Sequence, residues 1–137
     1  MAEQLFVDTL FVVALINRRD QYHAQATALA EKVDGQPLLI TQAVLLEIGN
    51  ALARGFKREA ADIIEHFLTS EEVEVVHITP ELFEEAFTLY RSYGDKEWGL
   101  VDCISFVAMR RAGVTQALTF DRHFAQAGFQ VLMRTLS

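Results

Sequence analysis

Two acidic residues lie inside apolar segments, where an isolated charge is costly. Asp8 interrupts the segment LFVDTLFVVALI, and Glu47 lies within the segment VLLEIG. A carboxylate among apolar neighbours destabilises a fold unless it is hydrogen-bonded, paired with a cation or bound to a metal. Both acids are therefore expected to be largely buried, and both are candidates for a functional site.

Two further acids, Asp102 and Asp121, lie near predicted helix starts. Asp102 falls in the first turn of a helix that begins near Gly99, and Asp121 follows a predicted strand end at Thr119 by two residues. An acid in a first helical turn also complements the helix dipole, so each position alone permits a structural role. Sites in parallel α/β sheets form beyond the carboxyl ends of the strands. We therefore expect all four acids to lie toward one edge of a sheet.

The alternation of apolar segments and turn residues predicts five strands and seven helices. Short apolar runs typical of buried strands occur at residues 4–7, 38–40, 73–78, 116–119 and 129–133. Helical patterns cover residues 10–16, 21–32, 42–54, 58–69, 80–93, 99–111 and 122–127. This order predicts an α/β fold, a three-layer α/β/α arrangement with a central, mostly parallel sheet of four to five strands.

Polar residues and glycines mark several of the predicted helix ends. Thr9, Asp20 and Thr41 are candidate N-caps because their side-chain oxygens can accept a backbone N–H of the first turn. Thr79, followed by proline and an acid, is a strong helix start. Gly113 is the expected stop of the helix that carries Asp102.

Composition predicts one globular domain over residues 1–137. A hydrophobic share of 51% and a charged share of 23% exclude a disordered chain. Cys103 is the only cysteine, which excludes an internal disulfide and a thiolate zinc site and suits a reducing cytoplasm. The apolar segment near the N-terminus is interrupted by Asp8 and lacks a preceding positive charge, so neither a secretory signal nor a membrane span is expected.

The net charge of −7 argues against a broad basic face for nucleic acid. Four of the 19 acids belong to the candidate site, however, and two bound divalent ions would offset them. Candidate contacts to a phosphate backbone are Arg18, Arg19, Arg54, Lys57, Arg58, Lys96, Arg122 and His123. His123 is close enough in sequence to Asp121 to approach the site, without being assigned as a general base.

Four segments together resemble the PIN-domain ribonucleases, and among them the VapC-type toxins of bacterial toxin–antitoxin pairs. The segments are FVDTLFVVALIN, LITQAVLLEIGNALAR, WGLVDCISFVAMRRAG and ALTFDRHFAQAGF, and they follow the family's order across essentially the whole chain. The final segment is the most specific. The second segment has Thr41-Gln42 where many relatives have a Thr-Ser pair, so the threonine is kept.

The resemblance implies a metal-dependent endoribonuclease. The family's four acids correspond to Asp8, Glu47, Asp102 and Asp121, and its supporting polar residues to Thr9, Asn50 and Thr119. Oxygen ligands favour Mg²⁺ or Mn²⁺, which would bind the scissile phosphate and activate a water. Asp8 and Asp102 are the preferred direct ligands, and repulsion among the acids is expected to raise at least one pKa without metal. The resemblance does not distinguish one ion from two.

The resemblance also implies partners, and it leaves alternatives open. RNA is the expected substrate, although no segment identifies which RNA, and a homodimer and a small antitoxin protein are the expected partners. Apolar residues of the second and fourth helices, among them Ile63, Ile64, Phe67 and Leu68, fit either a dimer contact or the core. A catalytically silent PIN-fold module that binds protein or RNA is the alternative function. A haloacid-dehalogenase-like phosphatase fits poorly, since Leu10 stands where it needs a second Asp. A receiver-type signalling domain also fits poorly, since it needs paired acids at the first strand end and a lysine at the last one, and neither is visible.

Overall fold

The computed structural model describes residues 3–136. Their strands are β1 (Leu5–Val7), β2 (Leu38–Thr41), β3 (Val73–Val76), β4 (Gln116–Leu118) and β5 (Gln130–Val131). Their helices are α1 (Thr9–Ile16), α2 (His23–Lys32), α3 (Gln42–Ala51), α4 (Lys57–Thr69), α5 (Pro80–Ser92), α6 (Leu100–Ala112) and α7 (Arg122–Gln126). The predicted α/β/α fold is confirmed, with strands and helices alternating around one central sheet.

The five strands form one parallel sheet in the order β3-β2-β1-β4-β5. Every adjacent pair is parallel, so the predicted mostly parallel sheet is parallel throughout. The chain moves outward from β1 to β2 and β3, and then returns to β4 on the other side of β1. In such sheets a crevice opens at the carboxyl ends of the strands where the order reverses. Here that point lies between β1 and β4.

Aromatic packing fixes α6 against the sheet and α7. Phe106 of α6 is fully buried and meets Phe124 of α7 edge-on, with ring centroids 5.1 Å apart. Phe124 also contacts Phe6 of β1 at 5.9 Å. Burying large aromatic side chains contributes strongly to core stability. These contacts therefore hold the middle of α6 against α7, and α7 against β1.

Two of the predicted helix caps are wrong. Asp8, not Thr9, is the N-cap of α1, and Thr9 is the first helical residue. Asp20 does not cap α2, which begins at His23; its carboxylate instead accepts the backbone N–H of Tyr22 at 2.8 Å within the preceding turn. Asp and Asn favour such local turns as readily as helix caps, and the sequence pattern does not separate the two.

The remaining end predictions are mostly confirmed. Thr41 caps α3 and Thr79 caps α5, each accepting a backbone N–H at 3.1 Å. Gly113 ends α6 in the left-handed conformation, with φ of +70°. The helix predicted for residues 42–54 ends earlier, at Ala51, before a turn in which Gly55 adopts φ of +90°.

The last predicted strand is shorter than the apolar run at residues 129–133. β5 spans only Gln130–Val131, although Leu132 and Met133 still donate backbone hydrogen bonds to Ala117 and Thr119. An edge strand has one neighbour, so its regular geometry ends early while some pairing continues.

The candidate contact residues of α4 belong mainly to the core. Phe67 is buried, and Ile63 and Ile64 are half-buried against the core, whereas Leu68 is 57% exposed. The longest helices among residues 3–136 have 13 residues, and none of the described helices is long and apolar enough to cross a bilayer.

Candidate active site

All four acids predicted from the sequence line one pocket of about 500 Å³ at the carboxyl end of the sheet. Its lining consists of Asp8, Thr9, Leu10, Glu47, Asn50, Ala51, Asp102 and Asp121. The acids come from four places: the end of β1, the middle of α3, the first turn of α6 and the N-cap of α7. Two of the three supporting residues, Thr9 and Asn50, line the same pocket. The third, Thr119, forms hydrogen bonds with Asp8 and with the backbone of Asp121.

Asp8 is the most deeply buried of the four acids, with 6% of its surface exposed. Its Oδ2 accepts a 2.7 Å hydrogen bond from the hydroxyl of Thr119, which is fully buried. Burial raises the pKa of Asp8 from 3.8 to about 7, and the nearby charges of Asp121 and Asp102 raise it further, against the opposing Thr119 hydrogen bond. A carboxyl with this pKa is charged only part of the time at neutral pH, so a bound cation would strongly favour its ionised form.

Thr119 connects two of the acids. Besides donating to Asp8, its hydroxyl accepts the backbone N–H of Asp121 at 3.0 Å. Asp121 in turn caps α7, because its Oδ1 accepts the backbone N–H of His123 at 2.9 Å. The side chain of Asp121 therefore has a structural role in addition to lining the pocket.

Asp102 also has a structural role as well as a place in the pocket. Its Oδ2 accepts the backbone N–H of Gly99 at 3.0 Å, which satisfies the start of α6. The same oxygen lies 3.0 Å from Nδ1 of His123. Burial raises the pKa of Asp102, while the hydrogen bonds from Gly99 and His123 lower it. The expected pKa rise occurs at both Asp8 and Asp102, but burial rather than mutual repulsion is its main cause.

Glu47 differs from the prediction because it is only half-buried. Its Oε1 accepts a 2.7 Å hydrogen bond from the hydroxyl of Thr9. Apolar neighbours in sequence do not bury a helical residue, since successive side chains point about 100° apart. Leu46, next to it, is 65% exposed. Asn50, one turn further along α3, is exposed at the pocket and makes no side-chain hydrogen bond among the described residues.

His123 is the site residue that sequence analysis placed near the pocket without a role. Its Nδ1 lies 3.0 Å from Asp102 and 3.5 Å from Asp121. Among residues 3–136, these three side chains form the one group whose ligand atoms all lie within 4.8 Å of one another. Asp8 and Glu47 line the same pocket but lie outside that group. The Asp-x-His spacing of residues 121 and 123 was the only sequence signal for this contact.

The donor set suits a hard divalent cation. Carboxylate oxygens predominate around the pocket, and Mg²⁺ and Mn²⁺ prefer such ligands. No described lysine or arginine forms an ion pair with any of the four acids, so within residues 3–136 only His123 is close enough to neutralise them. The pocket therefore has an excess of negative charge that a divalent ion would balance.

Comparison with known proteins identifies the family. The PIN domain profile matches residues 5–130. This chain is a PIN-domain protein of the VapC type. The 23S rRNA-specific endonuclease VapC20 of Mycobacterium tuberculosis is 36% identical over 127 residues, which cover 91% of this chain and 95% of that protein. A VapC ribonuclease of Aquifex aeolicus is 27% identical over 100 residues, 72% of this chain and 71% of that protein.

Solved structures agree with the PIN assignment. The crystal structure of M. tuberculosis VapC20, a toxin that cleaves the sarcin–ricin loop, superposes with a TM-score of 0.82 at 32% identity, covering 92% of this chain and 96% of that one. FitAcB from Neisseria gonorrhoeae shares the fold at 12% identity, with a TM-score of 0.68 and coverage of 95% and 97%. The PIN fold is therefore shared over most of the chain, and its VapC membership rests on the closer relative.

Proposed function

We propose that this protein is a divalent-metal-dependent endoribonuclease that acts as a toxin, with its chemistry at the pocket of Asp8, Glu47, Asp102 and Asp121. The observation that carries the proposal is the convergence of these four carboxylates at the crevice between β1 and β4. Membership of the VapC type supports RNA as the substrate. The catalytically silent alternative has less support, because no acid of the family's set is missing.

Asp8 and Asp102 are the residues proposed to hold a Mg²⁺ or Mn²⁺ ion directly. A bound ion of this kind supplies Lewis-acid stabilisation of phosphate charge and lowers the pKa of water. Asp121, 3.5 Å from His123 and facing the same pocket, is proposed to complete the ion's surroundings. This assignment is supported by the excess negative charge of the pocket and by the raised pKa of Asp8 and Asp102.

The remaining residues of the pocket are proposed to orient these groups and the attacking water. Thr119 directs Oδ2 of Asp8, and Thr9 directs Oε1 of Glu47, each through a 2.7 Å hydrogen bond. Glu47 is half-exposed at the pocket, so its second oxygen is available to accept a proton from water. The exposed amide of Asn50 is proposed to contact the sugar or phosphate of the substrate.

A structured ribosomal RNA loop is the first substrate to examine. VapC20, the M. tuberculosis relative, is specific for 23S rRNA. An antitoxin and a second copy of the chain are the proposed partners, as expected of a VapC-type toxin. Phe83, Phe87 and Tyr90 lie one turn apart on α5 and are each more than 40% exposed, which supports a protein contact on that helix. Light scattering of the purified protein would detect the homodimer. Co-purification with the product of the neighbouring gene would detect the antitoxin.

Cleavage of ribosomal RNA, transfer RNA and messenger RNA in the presence of Mn²⁺ tests the proposal. We expect the wild-type protein to cut at least one of them, and Asp8→Asn to reduce the rate by more than about 100-fold, beyond the loss typical for an outer-shell partner. Glu85→Gln, an exposed acid of α5, is the control and is expected to cut at the wild-type rate.

Two outcomes would contradict the proposal. Equal cleavage by wild type and Asp8→Asn would exclude this pocket as the metal site. Failure of the wild-type protein to cut any of the three RNA classes with Mg²⁺ or Mn²⁺ would favour the silent binding module.

A further inference from the structure

A second concave surface lies where α1 ends and α4 begins. It encloses about 820 Å³ and is separate from the carboxylate pocket, with which it shares no lining residue. We name it the basic cleft, and its lining includes Leu15, Ile16, Arg18, Arg19, Phe56 and Glu59. The sequence-level charge of −7 gives no indication of such a surface.

The basic cleft and the carboxylate pocket are built from the same two segments of chain. On α1, Leu10 lines the pocket and Leu15 lines the cleft, an offset of about 8 Å along the helix. On the other side, Ala51 ends α3 at the pocket, and Phe56 follows it into the cleft after the Gly55 turn. The two surfaces are therefore neighbours along both segments of chain.

Exposed cations line this cleft and flank it in the sequence. Arg18 and Arg19 belong to its lining, and three further exposed cations, Arg54, Lys57 and Arg58, lie within two residues of the lining residue Phe56 along the chain. None of them takes part in an ion pair with another residue in the described range 3–136, whereas Arg111 and Lys96 do. Glu59 is the one acid that lines the cleft. The positive charge at this surface is thus available to a partner.

The cleft also has an apolar part. Leu15, Ile16 and Phe56 are half-buried and contribute to its lining. A cationic groove with an aromatic side chain is the usual combination for single-stranded nucleic acid, in which the phosphates contact the cations and a base stacks on the ring. Phe56 shares the lining with Arg18 and Arg19, so both kinds of contact are available in one cleft.

We infer that the basic cleft binds the phosphate backbone of a single-stranded RNA segment that continues from the carboxylate pocket, with Arg18 and Arg19 as principal contacts. The inference rests on the proposed ribonuclease function. RNA is favoured over an acidic protein segment because the cleft is lined by the same two segments of chain, α1 and the residues from α3 to the start of α4, that line a pocket suited to phosphodiester chemistry.

Binding of a fluorescein-labelled RNA stem-loop, measured by anisotropy in EDTA, separates RNA binding from cleavage. The Arg18→Glu/Arg19→Glu double variant is expected to weaken binding by about 10- to 30-fold at 0.1 M salt, and to lower the salt-dependence slope by about 1.4. Arg18→Lys/Arg19→Lys keeps both charges and should bind close to wild type. Glu59→Gln removes the opposing charge and should bind more tightly.

A matched control distinguishes a local site from a general charge effect. Arg91→Glu/Arg111→Glu changes the net charge equally on α5 and α6, and it should weaken RNA binding much less. In cleavage assays with Mn²⁺, the cleft double variant should raise KM by the same factor as it weakens binding, with kcat close to wild type. Both arginines are exposed, so a thermal melt should show a folded protein.

Two results would overturn the inference: unchanged RNA affinity of the cleft double variant, or equal losses of RNA affinity for that variant and the control. If unchanged RNA affinity is accompanied by lost binding of a protein partner, the cleft is assigned to an acidic protein segment instead. Failure of the proposed function has a separate signature, because a wild-type protein that cuts no RNA but binds the stem-loop through Arg18 and Arg19 would retain the binding site and lose only the catalytic assignment.

Discussion

The carboxylate pocket and the basic cleft lie at opposite ends of α1, and they are built in opposite ways. In the pocket, all four acids accept hydrogen bonds from side chains or backbone N–H groups at 2.7–3.0 Å. At the cleft, Arg18 and Arg19 are exposed and form no ion pair among the described residues.

This difference follows from what each surface has to do. Chemistry at a phosphate requires donors and acceptors held in fixed positions, since small displacements are costly in rate. Binding of a phosphate backbone requires positive charge, which acts over several ångströms and tolerates mobile side chains. Substitutions in the pocket should therefore change stability and rate steeply, and substitutions at the cleft should change affinity and its salt dependence.

The largest effect is expected from Asp8→Asn on the stability of the metal-free protein. Because burial raises the pKa of Asp8 to about 7, the folded state holds the proton more tightly than the unfolded state does. Wild-type stability therefore falls as pH rises from about 4 through 7. Each pH unit between the folded and unfolded pKa corresponds to about 1.4 kcal/mol, so ionised Asp8 destabilises the fold by roughly 4 kcal/mol above pH 7.

Thermal melts in EDTA across pH 4–8 measure this effect. Asp8→Asn should be more stable than wild type at pH 8, with a difference that shrinks toward pH 4. Asp95→Asn, an acid whose side chain is 72% exposed, is the control and should melt like wild type at every pH. A wild-type protein that is more stable than Asp8→Asn at pH 8 without metal would show that the buried, ionised Asp8 does not destabilise the fold.

Asp8 and Glu47 also show what the sequence could and could not predict about the site. Asp8 follows a strand, where both faces of a central parallel sheet are buried, so apolar flanks correctly predicted its burial. Apolar neighbours in the sequence wrongly predicted that Glu47 is largely buried, because successive side chains of a helix point in different directions. Parallel pairing followed from the alternation of strands and helices, whereas the strand order was not predicted and helix ends shifted by up to three residues.

Contacts between distant segments were beyond the reach of sequence patterns. The hydrogen bond between Thr119 and Asp8 joins residues 111 positions apart, and the approach of His123 to Asp102 depends on how α6 packs against α7. The basic cleft arises in the same way, since Arg18 and Arg19 meet Phe56 and Glu59 only in the folded chain. The local propensities of residues determine helices and strands, whereas these contacts depend on tertiary packing.

Thr119→Val should have the next largest effect. The substitution keeps the volume but removes a buried hydroxyl that donates to Asp8 and accepts from Asp121. We expect cleavage to fall by about 10- to 100-fold, as for other partners that orient metal ligands. Thr119→Ser keeps the hydroxyl and should recover most of the activity. RNA affinity in EDTA should be unchanged for both variants, and a drop in affinity would contradict the separation of pocket from cleft.

Thr9→Val should lower cleavage by a smaller factor, a few-fold to about 10-fold. Its hydroxyl donates to Glu47, which is half-exposed, so water can replace the lost hydrogen bond. A single-turnover rate with Mn²⁺ would compare it directly with Thr119→Val. If Thr9→Val lost more activity than Thr119→Val, Glu47 rather than Asp8 would be the acid whose orientation limits the reaction.

The smallest effect is expected from Arg111→Ala, which removes a cation that already has a partner. Arg111 donates to Glu85 at 2.7 Å between α6 and α5, and both side chains are about half exposed. Exposed ion pairs of this kind stabilise a fold by about 0.2–1 kcal/mol, so the melting temperature should change only slightly. RNA affinity should stay at the wild-type value, because the charge of Arg111 is compensated within the protein and lies outside the cleft. A loss of affinity as large as that of the Arg18→Glu/Arg19→Glu variant would mean that RNA binding depends on the total charge of the chain. The cleft would then not be a local binding site distinct from the carboxylate pocket.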